Sequence, residues 1–163
     1  MNSKITLIKP VKNHFNDVFN LVLDSKVLDV NSEYLYLLQT IHFPDTCSVA
    51  LDNEKVVGFV SGYIIPNEKN KLFIWQVAVD SNYRGQNIAL KLIDFIIKNN
   101  ENSIEFVNTT VSPSNNSSIR VFQKLANSYN CPINHIDCFK ANDFINSHED
   151  EVLYEIGPIN KNR

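Results

Sequence analysis

Residues 75–89 read WQVAVDSNYRGQNIA, and this stretch decides the fold of the chain. Its first residues are the end of Leu72–Val79, an apolar segment rich in β-branched and aromatic residues. Such a segment is typical of a buried strand. From Ile88 onward the apolar residues recur at helical spacing, and the turn in between carries Arg84 and Gly85. A helix that begins in this way directs backbone N–H groups and a partial positive charge out of its first turn. The stretch therefore predicts a strand, a turn and a helix that together bind an anion, most often a phosphate.

Length and composition indicate one globular domain spanning residues 1–163. The hydrophobic fraction of 44% and the charged fraction of 20% are ordinary for such a domain. The net charge of −3 argues against a nucleic-acid partner, because no basic surface is available to neutralise phosphates. The same acidic balance is compatible with a cationic substrate.

The cysteines and the first residues indicate where the protein works. Cys47, Cys131 and Cys138 are odd in number and lack the spacing of metal ligands, so we expect buried free thiols in a reducing compartment. Met1–Val11 contains no long apolar run, which predicts neither a signal peptide nor a membrane span. We therefore expect a cytoplasmic protein without a membrane partner.

The remaining elements follow from hydrophobic periodicity and turn residues. Asn13 is expected to cap the first helix, and another helix is expected to begin near Ser114, itself a candidate cap. The predicted strands are Ile5–Ile8, Cys47–Leu51, Val56–Ile65, Leu72–Val79, Ile104–Val111, Ile133–Phe139 and Val152–Ile156, and the predicted helices run through Phe15–Leu23, Ser32–Ile41, from Ile88 onward and Ser114–Ser128. Only four glycines occur, which does not support a glycine-rich dinucleotide fold or a Walker loop.

The hexamer Arg84–Ala89 resembles the acyl-CoA pyrophosphate loop of the GNAT acetyltransferases, and the order of elements is similar to theirs. The resemblance implies an α/β GNAT fold, in which a mixed central sheet with a splayed central strand pair is flanked by helices. It also implies acetyl-CoA as co-substrate. An ordinary strand-to-helix turn is the alternative interpretation of the hexamer.

The resemblance implies a set of cofactor-binding positions in this chain. Asn87 stands where the family usually has a second glycine, but asparagine readily adopts the left-handed conformation that the turn needs. Asn115 is either a contact of the cofactor arm or simply a residue at a helix start. Phe122 occupies the position where the family has the tyrosine that protonates the leaving thiolate, so that proton donor is missing. The implied cofactor-binding residues are Val77, Val79, Arg84, Gly85, Gln86, Asn87, Ile88, Ala89 and Asn115.

Longer blocks resemble one GNAT subfamily, the L-2,4-diaminobutyrate acetyltransferases of ectoine synthesis. The blocks are Leu28–Ser32, Thr40–Thr46, Val57–Tyr63, Phe73–Val79, Thr110–Asn115 and His148–Tyr154. They imply transfer of acetyl from acetyl-CoA to the side-chain amine of L-2,4-diaminobutyrate, and they suggest a homodimer.

That substrate requires carboxylates for an ammonium group and a base near the reacting amine. Asp29 is either a substrate ligand or the cap of the second helix. Glu151 and His148 are candidates for substrate binding and catalysis, since histidine is suited to move a proton; the alternative is a solvated polar turn. Trp75 either packs in the core or forms a wall of the pocket that attracts an ammonium. No metal site is expected.

Two other functions remain compatible with the sequence. The first is acetylation of another small amine, such as a polyamine. The second is a non-catalytic acyl-CoA-binding module, which the substitutions at Phe122 and Asn87 would explain.

Overall fold

Seven strands and four α-helices make up the part of the chain that the computed structural model describes, residues 4–161. In chain order they are β1 Ile5–Ile8, α1 Phe15–Ser25, α2 Glu33–Ile41, β2 Ser48–Asp52, β3 Lys55–Ile64, β4 Lys71–Val79, α3 Ile88–Asn99, β5 Phe106–Val111, α4 Asn116–Ser128, β6 Ile133–Phe139 and β7 Glu151–Ile156. Every predicted element is present, and the predicted boundaries lie close to the observed ones.

The strands form one mixed sheet in the order β1-β2-β3-β4-β5-β7-β6. Strand β4 pairs in parallel with β5, from Lys71 opposite Phe106 to Ile74 opposite Thr109. The pairs β1–β2, β2–β3, β5–β7 and β6–β7 are antiparallel. The predicted mixed sheet is therefore confirmed.

The chain divides into two compact units, of which the first comprises the chain up to Tyr63 together with Gln76–Glu101. In this unit β2 and β3 form an antiparallel hairpin, whose turn places Asn53 in the left-handed conformation with φ of 55°. The core beneath α1 and α2 contains Val18, Val22, Tyr36, Cys47, Val49, Val56, Phe59 and Ala78. This packing fixes α1 and α2, and with them the segment that joins the two helices.

Helix α3 lies tightly against β3 in the first unit. Its buried face consists of Ile88, Leu92, Ile93, Ile96 and Ile97. A Cβ on Gly58 would lie 2.8 Å from the side chain of Ile88 and 3.0 Å from that of Leu92. Only glycine permits this approach, so Gly58 helps to set the position of the first turn of α3.

The second unit comprises Ile64–Trp75 and the chain from Asn102 onward. Strand β7 is central within it, since it pairs with β5 from Val107 opposite Ile156 to Val111 opposite Val152, and with β6 on its other side. Helix α4 buries Phe122, Leu125 and Ala126. Polar residues lie at the amino-terminal ends of α4 and β7, among them Asn115 and Glu151.

Two predicted helix caps are wrong. Asn13 lies within a short 3-10 turn, Lys12–His14, and the residue that precedes α1 is His14, whose Nδ1 accepts a hydrogen bond from the Val11 amide at 3.1 Å. Ser114 does not cap α4. Asn115 does, because its Oδ1 accepts from the Ser118 amide at 3.2 Å.

The cysteines are free, as predicted, but they are not all buried. Cys47 is buried, Cys131 is half-buried and Cys138 is exposed on β6. The expectation of buried thiols is therefore wrong for Cys138, because β6 pairs with β7 alone and stands at the edge of the sheet. Among residues 4–161, no helix has the length and apolar character that crossing a membrane requires.

Candidate active site

The turn between β4 and α3 has the backbone conformation that an anion site needs. Gly85 has φ of +80° and open space where a Cβ would lie, and Asn87 adopts the left-handed conformation with φ of 56° and ψ of 29°. The first hydrogen bond of α3 runs from the Lys91 amide to the Asn87 carbonyl at 3.0 Å. The amides that precede Lys91 in the first turn therefore point out of the helix. The expected left-handed asparagine is confirmed.

A set of polar contacts holds the residues that enter this turn. Asp80 accepts a hydrogen bond from the Asn82 amide at 2.9 Å and forms an ion pair with Lys55 at 2.9 Å. The hydrogen bond from Lys55 lowers the pKa of the Asp80 carboxyl. Tyr83 donates its hydroxyl to Asp52 at 2.6 Å. The β2–β3 hairpin thus supports the turn that presents Arg84, Gly85, Gln86 and Asn87, all exposed.

Strand β4 alternates between a buried and a more open face. Gln76 and Ala78 are buried, whereas Val77 and Val79 are only half-buried. Trp75 exposes 48% of its surface, so it is not a core residue, and the interpretation as core packing is wrong.

In the second unit, Glu151 and His148 lie close together, as their proximity in sequence suggested. Glu151 is the first residue of β7, and its Oε1 accepts a hydrogen bond from the Ser112 hydroxyl at 2.9 Å. His148 Nε2 lies 3.9 Å from the same oxygen. The carboxylate is thus held by the residue that follows β5 and faces an imidazole.

The ring of His148 is held on two sides. It stacks on Phe144 with ring centroids 4.0 Å apart and an angle of 15° between the planes. Its Nδ1 lies 2.6 Å from the Glu149 backbone carbonyl, which can only accept a hydrogen bond. The neutral ring therefore carries its proton on Nδ1 and leaves Nε2 as a proton acceptor on the side of Glu151.

The neighbouring carboxylate, Glu149, has a different role. Its Oε1 accepts from the Ser114 hydroxyl at 2.5 Å and its Oε2 from the Ser114 amide at 3.3 Å. It therefore fixes the residue that precedes the Asn115 cap of α4.

Asp29 lies in the first unit, in the segment between α1 and α2, and it is exposed. It does not cap α2, because Ser32 does so by accepting a hydrogen bond from the Leu35 amide at 3.3 Å. The backbone carbonyl of Asp29 accepts a hydrogen bond from Gln76 Nε2 at 2.7 Å. The interpretation of Asp29 as a helix cap is therefore wrong, and its carboxylate remains available to solvent.

Sequence reasoning did not assign roles to the residues that support these groups. They are Gln76, Tyr36, Ser112, Phe144 and Glu149. Ser112 and Gln76 lie in blocks that resemble the diaminobutyrate acetyltransferases, but no spacing rule pairs either with a distant partner. Phe122 is 2% exposed in α4, so it packs in the core. Its phenyl ring has no acidic proton to donate. Among residues 4–161, no group of three potential metal ligands is assembled.

Comparison with protein families and curated proteins identifies similar chains. Residues 15–126 match the Acetyltransferase (GNAT) family. A protein named L-2,4-diaminobutyric acid acetyltransferase from Halalkalibacterium halodurans is 37% identical over 161 residues, covering 98% of this chain and 85% of the relative. A protein of the same name from Streptomyces coelicolor is 39% identical over 146 residues, covering 87% of this chain and 86% of the relative.

Comparison with solved structures identifies chains whose backbone fold is similar to that of this protein. Diaminobutyrate acetyltransferase from Paenibacillus lautus, in complex with its substrate L-2,4-diaminobutyric acid and coenzyme A, has a TM-score of 0.92 and 34% identity, covering 99% of each chain. Ard1 from Thermoplasma volcanium has a TM-score of 0.74 at 17% identity, covering 96% of this chain and 99% of that one, and shows likeness of fold alone.

Proposed function

Because the chain belongs to the GNAT acetyltransferase family, we propose that it transfers the acetyl group of acetyl-CoA to the side-chain amine of L-2,4-diaminobutyrate. The predicted GNAT fold is confirmed. The product is the Nγ-acetyl compound, and cyclisation to ectoine is the step that would consume it. The observation that carries the proposal is the backbone likeness, over nearly the whole chain, to an enzyme solved with diaminobutyrate and coenzyme A.

The residues of the first unit fit acetyl-CoA. The amides at the start of α3, with Gly85 and Asn87 in left-handed conformations, form a cradle of N–H groups suited to a pyrophosphate. Arg84, Gln86 and Ala89 complete the turn. The backbone groups of Val77 and Val79 are proposed to bind the pantetheine arm. For the second unit, the family resemblance proposes Asn115 as a cofactor-binding residue. A strand N–H directed at the thioester carbonyl would stabilise the developing oxyanion by ~3 kcal/mol.

Acetyl-CoA supplies the chemistry: the amine nitrogen forms a bond to the acetyl carbon, the carbon–sulfur bond breaks, and coenzyme A leaves as its thiolate. The amine must first lose a proton. His148 is proposed to accept that proton on Nε2, because its Nδ1 is committed to the Glu149 carbonyl. Glu151, oriented by Ser112, is proposed to stabilise the resulting imidazolium and to bind an ammonium group of the substrate.

Two further residues are proposed to bind the diammonium substrate. Asp29 presents an exposed carboxylate for an ammonium group. Trp75 is nearly half exposed, which is the property that an aromatic wall for an ammonium group requires. Phe122 has no acidic proton, so we propose that water protonates the departing thiolate.

The proposed assembly and location rest on separate observations. We propose that the whole chain acts as one acetyltransferase domain, since the family match runs through residues of both compact units. A homodimer is proposed because β6 is an edge strand with exposed apolar residues, among them Ile136 and Phe139. Light scattering on the purified protein would give the mass. The free thiols support the cytoplasm as location.

The test is identification of the product by mass spectrometry after incubation with acetyl-CoA and a panel of amines. We expect one acetyl group on the side-chain amine of diaminobutyrate, and much lower kcat/KM for polyamines and lysine-like amino acids. A preference for another amine would reassign the substrate. Binding of coenzyme A without acetylation of any amine above the uncatalysed rate would show a non-catalytic module.

A further inference from the structure

A buried amide in the first unit holds the segment that carries Asp29. Gln76 is 6% exposed on β4, and both ends of its side chain are hydrogen-bonded. Its Nε2 donates to the Asp29 carbonyl at 2.7 Å, and its Oε1 accepts from the Tyr36 hydroxyl at 3.0 Å. The Tyr36 oxygen in turn accepts from the Asn31 amide at 3.3 Å. Gln76 and Tyr36 together bind the segment on both sides of Val30.

The residues that support this network are buried. Ser61 Oγ accepts a hydrogen bond from the Gln76 backbone amide at 3.3 Å, which connects Gln76 to β3. The Tyr36 ring is fully buried, and it forms T-shaped pairs with Phe19 and Phe59 at centroid distances of 5.8 and 6.4 Å. By contrast, Asp29–Asn31 belongs to neither helix. A segment without regular structure thus takes its position from a strand and a packed ring.

We propose that Gln76 is a positioning residue of the amine site, because it fixes the backbone from which the Asp29 carboxylate projects. The inference rests on the proposed function, since it assigns Asp29 to substrate binding. A glutamine suits this task because its amide donates and accepts at once, which matches a carbonyl on one side and a phenol on the other. No apolar side chain of the same length can replace either bond, and loss of the bond to Tyr36 leaves a buried hydroxyl without its acceptor.

The principal variant is Gln76→Met, which keeps the length of the side chain and removes both hydrogen bonds. We expect KM for diaminobutyrate to rise about fivefold to tenfold, which corresponds to the net contribution of one ordinary hydrogen bond. KM for acetyl-CoA should stay unchanged. Tyr36→Phe retains the buried ring and removes only the hydroxyl, so it should shift the same constant in the same direction by a smaller factor.

Gln39→Met is the matched control. Gln39 is also a buried glutamine, 4% exposed on α2, but its Oε1 has no hydrogen-bond partner within residues 4–161. This substitution should leave both KM values at wild type. Equal effects of the two Gln→Met substitutions would mean that the loss reflects general weakening of the core, and would overturn the proposal.

A double-mutant cycle with Asp29→Ala then separates positioning from stability. If Gln76 acts through Asp29, Gln76→Met should change KM for diaminobutyrate less than twofold in the Asp29→Ala background. Multiplicative effects of the two substitutions would show that Gln76 acts elsewhere, and would refute the assignment. Melting temperatures of all variants identify any that fail to fold, in which case Tyr36→Phe carries the cycle.

The hydrogen bonds by which Gln76 and Tyr36 hold the segment Asp29–Asn31 are called the tether here. Hydrogen exchange of the substrate-free protein tests this tether without reference to activity. The Asn31 amide should exchange faster in Gln76→Met and Tyr36→Phe than in wild type and Gln39→Met. Unchanged exchange in both variants would refute the tether even if the enzyme acetylates diaminobutyrate. Faster exchange in a protein that does not acetylate diaminobutyrate would refute the proposed substrate and leave the tether intact.

Discussion

Replacing Glu151 by Gln isolates the charge of the proposed acceptor site. The substitution keeps an oxygen that can accept the Ser112 hydroxyl, now 2.9 Å from Oε1, and it removes the negative charge beside His148. A charge-assisted hydrogen bond to an ammonium contributes ~1.5–3 kcal/mol. Its loss corresponds to a fall of about tenfold to more than a hundredfold in kcat/KM for diaminobutyrate. The constants for acetyl-CoA should stay within about twofold.

Glu149→Gln is the matched control for this experiment. It removes a carboxylate only two residues away, but this carboxylate binds Ser114 instead of facing His148. Steady-state kinetics with each substrate varied in turn, together with a melting curve, should show a lower melting temperature and unchanged amine kinetics. Wild-type kcat/KM for diaminobutyrate in a folded Glu151→Gln protein would show that the acceptor site lies elsewhere.

Three further outcomes are expected. Gly85→Val should raise KM for acetyl-CoA far more than KM for the amine, because φ of +80° strains any β-branched residue; unchanged acetyl-CoA kinetics in the folded variant would remove the loop assignment. The rate should climb from about pH 7 towards an alkaline optimum as the amine loses its proton, and His148→Ala should lower kcat and shift that limb, whereas a change in melting temperature alone would indicate a structural role. Maleimide should label Cys138 in the native protein and spare Cys47 at pH 7–8, since burial raises the pKa of the Cys47 thiol to about 12 and keeps it protonated; labelling of both at equal rates would contradict this.

The fold was predictable because its signals are local. The strand-to-helix turn at Arg84–Ala89 and the hairpin turn at Asp52–Asn53 each combine a change of hydrophobic period with residues that tolerate unusual backbone angles. The left-handed conformation of Asn87 followed from the same chemistry. The residues that determine each of these turns lie within a few positions of one another in the chain.

The wrong helix caps show where local reasoning ends. Ser114 has the right chemistry for a cap, but its amide and hydroxyl donate to Glu149, 35 residues further along the chain, and the next residue, Asn115, caps α4. Asn13 lies next to His14, the residue that does precede α1, and the sequence pattern did not predict the 3-10 turn that contains both. A capping side chain is chosen by competition among hydrogen-bond partners, and tertiary structure supplies some of those partners.

The same limit explains which part of the candidate site was missed. Glu151 and His148 were proposed from a polar run in which they lie three residues apart, but the groups that orient them come from other segments. Ser112 lies 39 residues from Glu151, and Tyr36 lies 40 residues from Gln76. Each of these pairs needs one donor and one acceptor, which serine, tyrosine and glutamine supply in many proteins, so their composition carries no signal. Their pairing is set by the register of β7 against β5 and by the packing of α2 on its core. The residues that carry charge can thus be proposed from a sequence, whereas those that hold the charge in place become evident only once the strands are paired.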